Sequence, residues 1–402
     1  MARIVIVCET FSRDMGYLTA VLPKYLARRG FEVHVISLDL VPYQSDTEWQ
    51  GRSPPEFLAR QIQPAGSRYQ HEGYTVHILK HGRLGRYPYA RGLARKLREI
   101  EPEVVYSATA IGALPIQCAL ARIAQGFQLF TGSHTSPSTF PLASQAAPFS
   151  SVAGMRCIVT RWIPGRLVSY LSRKCYCRTV DCAVIARRFF GVQSRKIAVV
   201  PLGVDTDYFY PVTAPEHQAE RDRLRAQLGV APGDILCIYS GRLVASKRAA
   251  FLARAIEALR REGLQFRGLF IGEGPEREQI AASAACQTLD LVPFRELGPY
   301  YRAADIAVWP GTESTSIFDA AACGLPLVCN ERIASAHLLD NGLVHAHDDL
   351  DSVIGCLRQL ADPASRGSFG AIGARRARQE LGWDIAAAVR QHDFLEALRR
   401  ER

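Results

Sequence analysis

Arg242 and Lys247 follow the apolar run Leu236-Cys237-Ile238-Tyr239 and the turn Ser240-Gly241. The run predicts a strand ending at Ser240. The glycine permits a tight turn, which puts Arg242 at the carboxyl edge of a sheet and Lys247 on the first turn of the next helix. Backbone N–H groups at a helix start attract anions, an arginine adds a fork of donors and a lysine adds a point charge. Together they could hold a diphosphate and neutralise it as it leaves. On spacing alone, two solvated surface cations fit equally well.

A second stretch, Trp309-Pro310-Gly311-Thr312-Glu313-Ser314-Thr315-Ser316-Ile317-Phe318-Asp319, runs from an apolar strand through a polar turn into a helix. Thr312 or Ser314 is placed to cap that helix, and the N–H groups near Ser314, Thr315 and Ser316 face whatever lies beyond the sheet. Asp319 lies among alanines, where a carboxylate could accept two ribose hydroxyls. A helix-dipole role explains Glu313 better than Asp319. Near the N-terminus Gly16 is a lone glycine, without the Gly-x-Gly-x-x-Gly pattern of a dinucleotide site. His134 ends the predicted strand Leu129-Phe130-Thr131, which makes it a cleft candidate, although a lone histidine is more often structural.

The elements that must position these residues form two α/β series. Ile4–Val7, a helix after Gly16 and Glu32–Ile36 make a first βαβ unit. Residues 40–72 read as an insertion or long loop, 74–79 as a strand, 89–100 as a basic helix and 104–106 as a strand. Residues 135–155 read as a mobile loop, 166–177 as a helix, 180–186 as a strand and 197–200 as a last strand. Residues 202–216 read as a linker. The second series begins near Ile235, with strands at 236–239, 266–271, 289–292, 306–309 and 327–329. Two open α/β domains in series leave a cleft outside their strand ends.

The net charge is +10, which draws the protein to polyanions. Arg83, Arg86, Arg91, Arg95, Lys96 and Arg98, interleaved with Tyr87, Tyr89, Leu93 and Leu97, form one basic region. Arg161, Arg166, Arg173, Lys174, Arg178, Arg187 and Arg188 form another. Both suit an anionic membrane surface or a solvated helix face, and no nucleic-acid-reading motif is present. No run of about twenty apolar residues and no signal peptide is visible, so a cytoplasmic protein is expected, peripheral at the inner face of the membrane if attached at all. The eleven cysteines are scattered. Cys175, Cys177 and Cys182 lack the spacing of a zinc module, and no metal is expected.

These stretches, in this order, resemble the retaining glycosyltransferases of family 4. Pro201-Leu202-Gly203-Val204-Asp205-Thr206-Asp207-Tyr208-Phe209 is similar to the family's inter-domain stretch. Gly241-Arg242-Leu243 with Lys247, Phe270 to Pro275, Tyr301 to Ile306 and Ala320 to Pro326 match further motifs, and Trp383 resembles an aromatic of its C-terminal segment. The resemblance implies a GT-B fold, two Rossmann-like domains facing each other across a central cleft. It implies an acceptor-binding domain over 1–205, a nucleotide-sugar-binding domain over 206–380 and a helical segment over 381–402 packing back on the first.

The resemblance also implies roles. Arg242 and Lys247 bind the donor diphosphate, Asp319 the ribose, and Gly16 lets its loop approach donor and acceptor. His134 lies near the transferred sugar. The donor is a nucleotide sugar, UDP- or GDP-linked, used as substrate with no cofactor. The acceptor is a glycan, a lipid-linked sugar or a small molecule. One position departs from the pattern. Eight residues before Asp319, where the family has a glutamate, stands Gly311, and the nearest acid is Glu313. Either Glu313 takes the catalytic place at the donor sugar, or the chain is a remodelled GT-B protein that binds nucleotide sugars without transfer.

Overall fold

The computed structural model describes residues 1–40, 63–85, 87–145, 148–333 and 340–400. Most of the expected insertion over 40–72, and Arg86, lie outside the described residues. Two sheets carry the chain. The first holds β1 (Arg3–Val7), β2 (Glu32–Leu38), β3 (Arg68–His71) and β4 (Tyr74–Leu79). It continues, after the separate hairpin of β5 (His81–Leu84) and β6 (Tyr87–Ala90), with β7 (Val104–Ser107), β8 (Gln128–Ser133), β9 (Cys175–Cys177) and β10 (Ile197–Val199). Their order is β10-β9-β8-β7-β1-β2-β4-β3, parallel except for β3 against β4. The second sheet holds β11 (Ile235–Ser240), β12 (Phe266–Ile271), β13 (Cys286–Leu289), β14 (Ile306–Trp309), β15 (Leu327–Asn330) and β16 (Gly342–His345), all parallel, in the order β13-β12-β11-β14-β15-β16.

Parallel strands covered by helices on both faces read as unbroken apolar runs, as Ile4–Val7 and Leu236–Tyr239 do. In each sheet the strand order reverses beside its first strand, β1 in one and β11 in the other. A doubly wound sheet opens a crevice at that reversal, outside the carboxyl ends of the strands. The loops after β1, β11 and β14 therefore face a common space.

Several local expectations are corrected. Residues 135–155 are not one loop. They contain short 3₁₀ turns and the helix Val152–Cys157. The helix expected over 166–177 ends at Leu171, and Cys175–Cys177 is strand. The strand expected over 180–186 is the helix Val180–Phe189, which also carries Cys182. Thr179 caps it by accepting from the Cys182 N–H at 3.2 Å, and Cys182, Ile185, Ala186 and Phe189 turn inward at helical spacing. The apolar run 180–186 hid that period. In the basic region at 83–98, the helix is Leu93–Ile100, and Leu93, Leu97 and Ile100 are buried. Its apolar residues serve the core and do not face outward. The strand expected at 289–292 lies earlier, at β13, and the linker ends inside the helix Pro215–Gln227.

Two features tie the halves together. Asp205, buried, accepts from Lys24 Nζ at 2.7 Å and Tyr25 Oη at 2.8 Å on the helix Leu18–Arg28. Lys24 also meets Asp207 at 2.7 Å, and Arg295 of the second half meets Glu72 of the first at 3.3 Å. The last helix, Trp383–Arg399, returns to the first sheet. Val204 bridges Gly382, Lys174 Nζ donates to Asp393 at 2.5 Å and Tyr176 Oη donates to it at 3.0 Å.

Candidate functional site

A cavity of about 280 Å³ lies where the loops after β1, β11, β12 and β14 converge. Its wall includes Gly16 from the first half and Arg242, Lys247, Glu313, Ser314, Thr315, Ser316 and Asp319 from the second. Every candidate residue singled out in the sequence except His134 lines it.

Backbone packing builds the second-half wall. A Cβ on Gly272 would fall 2.0 Å from the Gly241 carbonyl oxygen, and Gly272 has φ +144°. Only glycine lets the β11 and β12 end loops touch in this way. The Leu243 N–H donates to the Glu273 carbonyl at 2.8 Å and locks the pair. Arg242 is thereby held at the cavity edge, with its carbonyl accepting from Tyr239 Oη at 2.9 Å.

Lys247 sits in the 3₁₀ turn Ala245–Lys247 and not inside the following helix, which begins at Ala249 after Arg248 takes a left-handed φ of 56°. Its ammonium donates to the carbonyls of Thr312, at 3.3 Å, and Glu313. The lysine turn and the Gly311 turn are thus one unit. A Cβ on Gly311 would lie 2.4 Å from the Ser246 carbonyl oxygen and 2.5 Å from the Lys247 carbonyl oxygen. The absence of an acid at 311 has a steric cause, since no side chain fits there. Glu313 is the acid that the turn presents to the cavity.

Asp319 is 6% exposed, in the helix Ser316–Ala322. That helix starts after Thr315, which makes no side-chain cap, so neither Thr312 nor Ser314 caps it. Burial, with the Asp205 charge as a smaller cause, raises the Asp319 pKa well above the usual carboxylate range. Among the described residues no hydrogen bond to its carboxyl offsets this cost. A buried carboxyl group facing a cavity without a protein donor is matched by a ligand that brings hydroxyls.

The first half contributes the loop after β1. The Phe294 N–H donates to the Asp14 carbonyl at 2.8 Å across the cleft. A Cβ on Gly16 would lie 2.2 Å from the Phe294 ring. Gly16 is small because an aromatic ring of the other half occupies its side-chain space.

His134 lies apart from this cavity. Its Nε2 is buried next to Gly132 and, among the described residues, has no hydrogen-bond partner. Burial, with the Arg178 and Arg390 guanidiniums nearby, pushes its pKa down to about 3. It is neutral at physiological pH and can exchange hydrogen bonds, but it cannot serve as a standing acid. The sequence reading counted Arg178 only within a basic region and did not single out Asp14 or Phe294, yet all three line the cavity. Arg178 follows β9 at its carboxyl end, and among the described residues its buried Nε has no partner. It lines both this cavity and a second one of about 420 Å³ that shares Glu313. Reading 180–186 as strand placed the sheet edge in the wrong spot and concealed it. Phe294 carries no sequence signal at all.

Among the described residues, His392, Asp393 and Glu396 are a group close enough to share a metal ion. They lie on the last helix, away from the cavity, and Asp393 is already engaged by Lys174 and Tyr176.

A sucrose-phosphate synthase from Thermosynechococcus elongatus superposes with a TM-score of 0.71 at 16% identity, over the whole of both chains. Anabaena HepE, solved in complex with UDP-glucose, gives 0.69 at 15% identity, again over both whole chains. The protein therefore has the GT-B fold, with two sheet-centred domains.

The model for Glycosyltransferase Family 4 matches residues 16–208, and the model for Glycosyl transferases group 1 matches residues 234–362. This chain is a GT-B protein related to those glycosyltransferase families. A D-inositol 3-phosphate glycosyltransferase of Xylanimonas cellulosilytica is 33% identical over 53% of this chain and 54% of its own length. A GDP-mannose-dependent phosphatidylinositol dimannoside mannosyltransferase of Mycobacterium tuberculosis is 28% identical over 52% of this chain and 55% of its own. The chain spans about half the length of the curated relatives it matches.

Proposed function

We propose that this protein is a retaining glycosyltransferase that moves a hexose-type sugar from a UDP- or GDP-sugar to a glycan, lipid-linked or small-molecule acceptor. We place it in cell-surface polysaccharide or glycolipid synthesis, at the cytoplasmic face of a membrane. The observation that carries the reading is one cavity whose wall combines Arg242, Lys247 and the buried Asp319 carboxyl with the Gly16 loop of the opposite half. That arrangement suits a nucleoside diphosphate sugar. Asp319 takes the ribose, the two cations take the diphosphate, and the sugar points toward Glu313 and the first half. The relatives named above, with donors that include GDP-mannose, and the UDP-glucose complex of HepE support the same class of donor.

In this reading the acceptor hydroxyl attacks C1 on the face from which the diphosphate departs. The C1–O bond to phosphate breaks as the new C1–O bond forms, and a donor phosphate oxygen takes the acceptor proton. Arg242 and Lys247 stabilise the charge that develops on the leaving group. Glu313 faces the sugar, while neutral His134 stands outside the cavity wall beside Arg178, the residue that reaches the cavity from that side.

A screen of UDP-, GDP-, ADP- and TDP-sugars, scoring both binding and turnover, tests this. We expect one UDP- or GDP-sugar to bind and to be consumed. Binding without hydrolysis or transfer would turn the reading into that of a nucleotide-sugar-binding protein, and binding of none would end it.

A further inference from the structure

From residue 104 to residue 180 the chain contains no aspartate or glutamate, yet it carries seven lysines and arginines. The middle of this segment is one helical rod. Val152–Cys157 runs through the π turn Ile158–Trp162 into Ile163–Leu171, with right-handed helical dihedrals at both joints.

Its inner face is fixed tightly. A Cβ on Gly154 would fall 1.8 Å from the Pro148 carbonyl oxygen, and one on Gly165 would fall 2.1 Å from that of Phe190. Glycine at both places lets the rod lie backbone against backbone on the first domain, so its outer face is presented rigidly. That outer face is apolar. Val152 is 87% exposed, Met155 59%, Val159 64%, Ile163 53%, Leu167 52% and Tyr170 73%. The spacing of three and four residues makes them a continuous stripe. Arg156 and Arg166 are exposed on the same rod, and Arg173 is exposed just past its end. Among the described residues no acid pairs with Arg156 or Arg166.

We infer that the rod 152–171 is the element by which this protein docks on an anionic bilayer. The apolar stripe enters the boundary between headgroups and acyl chains, and the arginines meet lipid phosphates. A patch of exposed apolar side chains this long marks an interaction surface. The charge pattern selects the occupant. A second copy of the chain, brought face to face by a two-fold axis, would set arginine against arginine with no acid to relieve them. An anionic lipid surface supplies the missing negative charge. This rests on the membrane-surface part of the proposed function and not on its donor chemistry.

The test is flotation of the full chain with vesicles of phosphatidylcholine alone and of phosphatidylcholine mixed with phosphatidylglycerol. Two exposed-surface variants are compared, Val159→Ser/Ile163→Ser/Leu167→Ser and Arg156→Glu/Arg166→Glu. We expect binding to the mixed vesicles only, weakened about tenfold or more by either variant, with the affinity for UDP or GDP unchanged in both. Equal flotation of the wild type and both variants would overturn the assignment, as would failure of the wild type to bind the mixed vesicles. So would light scattering that shows a dimer broken by the serine variant. Loss of nucleotide binding by the wild type would refute the donor reading while leaving the vesicle result to stand by itself.

Discussion

At Gly311 a side chain can be added only by moving backbone. The alanine Cβ would sit 2.4 Å from the Ser246 oxygen, and apolar carbon needs about 3.5 Å, so the two turns must part by roughly 1 Å. Overpacking of this kind costs about 1–3 kcal/mol. In a domain of this size that lowers Tm by about 2–4 °C for each kcal/mol. The functional effect is expected to be larger than the loss of stability. The Lys247 ammonium is held by the Thr312 and Glu313 carbonyls, so a parted turn takes the cation out of place. A shift of about 1 Å in a positioning group can cost on the order of a hundredfold in rate.

Gly311→Ala should therefore bind UDP or GDP about tenfold or more weakly by calorimetry, with a lowered Tm and a still larger loss of turnover. Gly311→Glu, which installs the acid found in the related family, should do worse and not better. Wild-type Tm and nucleotide affinity in Gly311→Ala would refute the steric argument. A gain of activity in Gly311→Glu would refute the assignment of Glu313 to the sugar end.

Other substitutions probe the remaining contacts. Lys247→Ala should weaken binding of nucleoside diphosphate far more than that of the nucleoside, and an equal loss in the two titrations would remove Lys247 from the diphosphate. The raised pKa of Asp319 means that the folded protein holds a proton that the unfolded chain releases near pH 4. Its burial thus becomes destabilising as pH rises from there through the folded pKa. Ribose hydroxyls favour the ionised form, so nucleotide binding should release a proton and tighten as pH rises through the same window. Asp319→Asn should abolish both the proton release, measured by calorimetry in buffers of different ionisation enthalpy, and the slope. Asp205→Ala deprives buried Lys24 of one partner while leaving Asp207 at 2.7 Å, so a loss of about 3 kcal/mol is expected in urea unfolding. A loss well under that value would show that Asp207 suffices.

The buried parallel strands were legible in the sequence because each side of the sheet is covered, which leaves an unbroken apolar run such as Ile4–Val7. The cavity-lining residues of the second half were legible for a related reason. Arg242, Lys247 and the 313–316 turn each follow such a run, so the end of a strand located them without any long-range knowledge. The segment 166–186 was misread because its apolar run hid a helical period and because Cys175–Cys177 is too short to show alternation.

The sequence alone pointed to two α/β domains in series, a pair of cations and an acid near the sheet edge of one of them, and a glycine where the family resemblance implies an acid. Only the tertiary structure decided why that glycine stands there, that Phe294 fills the side-chain space of Gly16, that His134 is held neutral beside Arg178, and that Arg178 reaches the cavity at all. Strand ends are set by neighbours in the chain. Clearances of 2 to 3 Å and the desolvation of a buried ring depend on which distant segments pack together, and no local pattern records that.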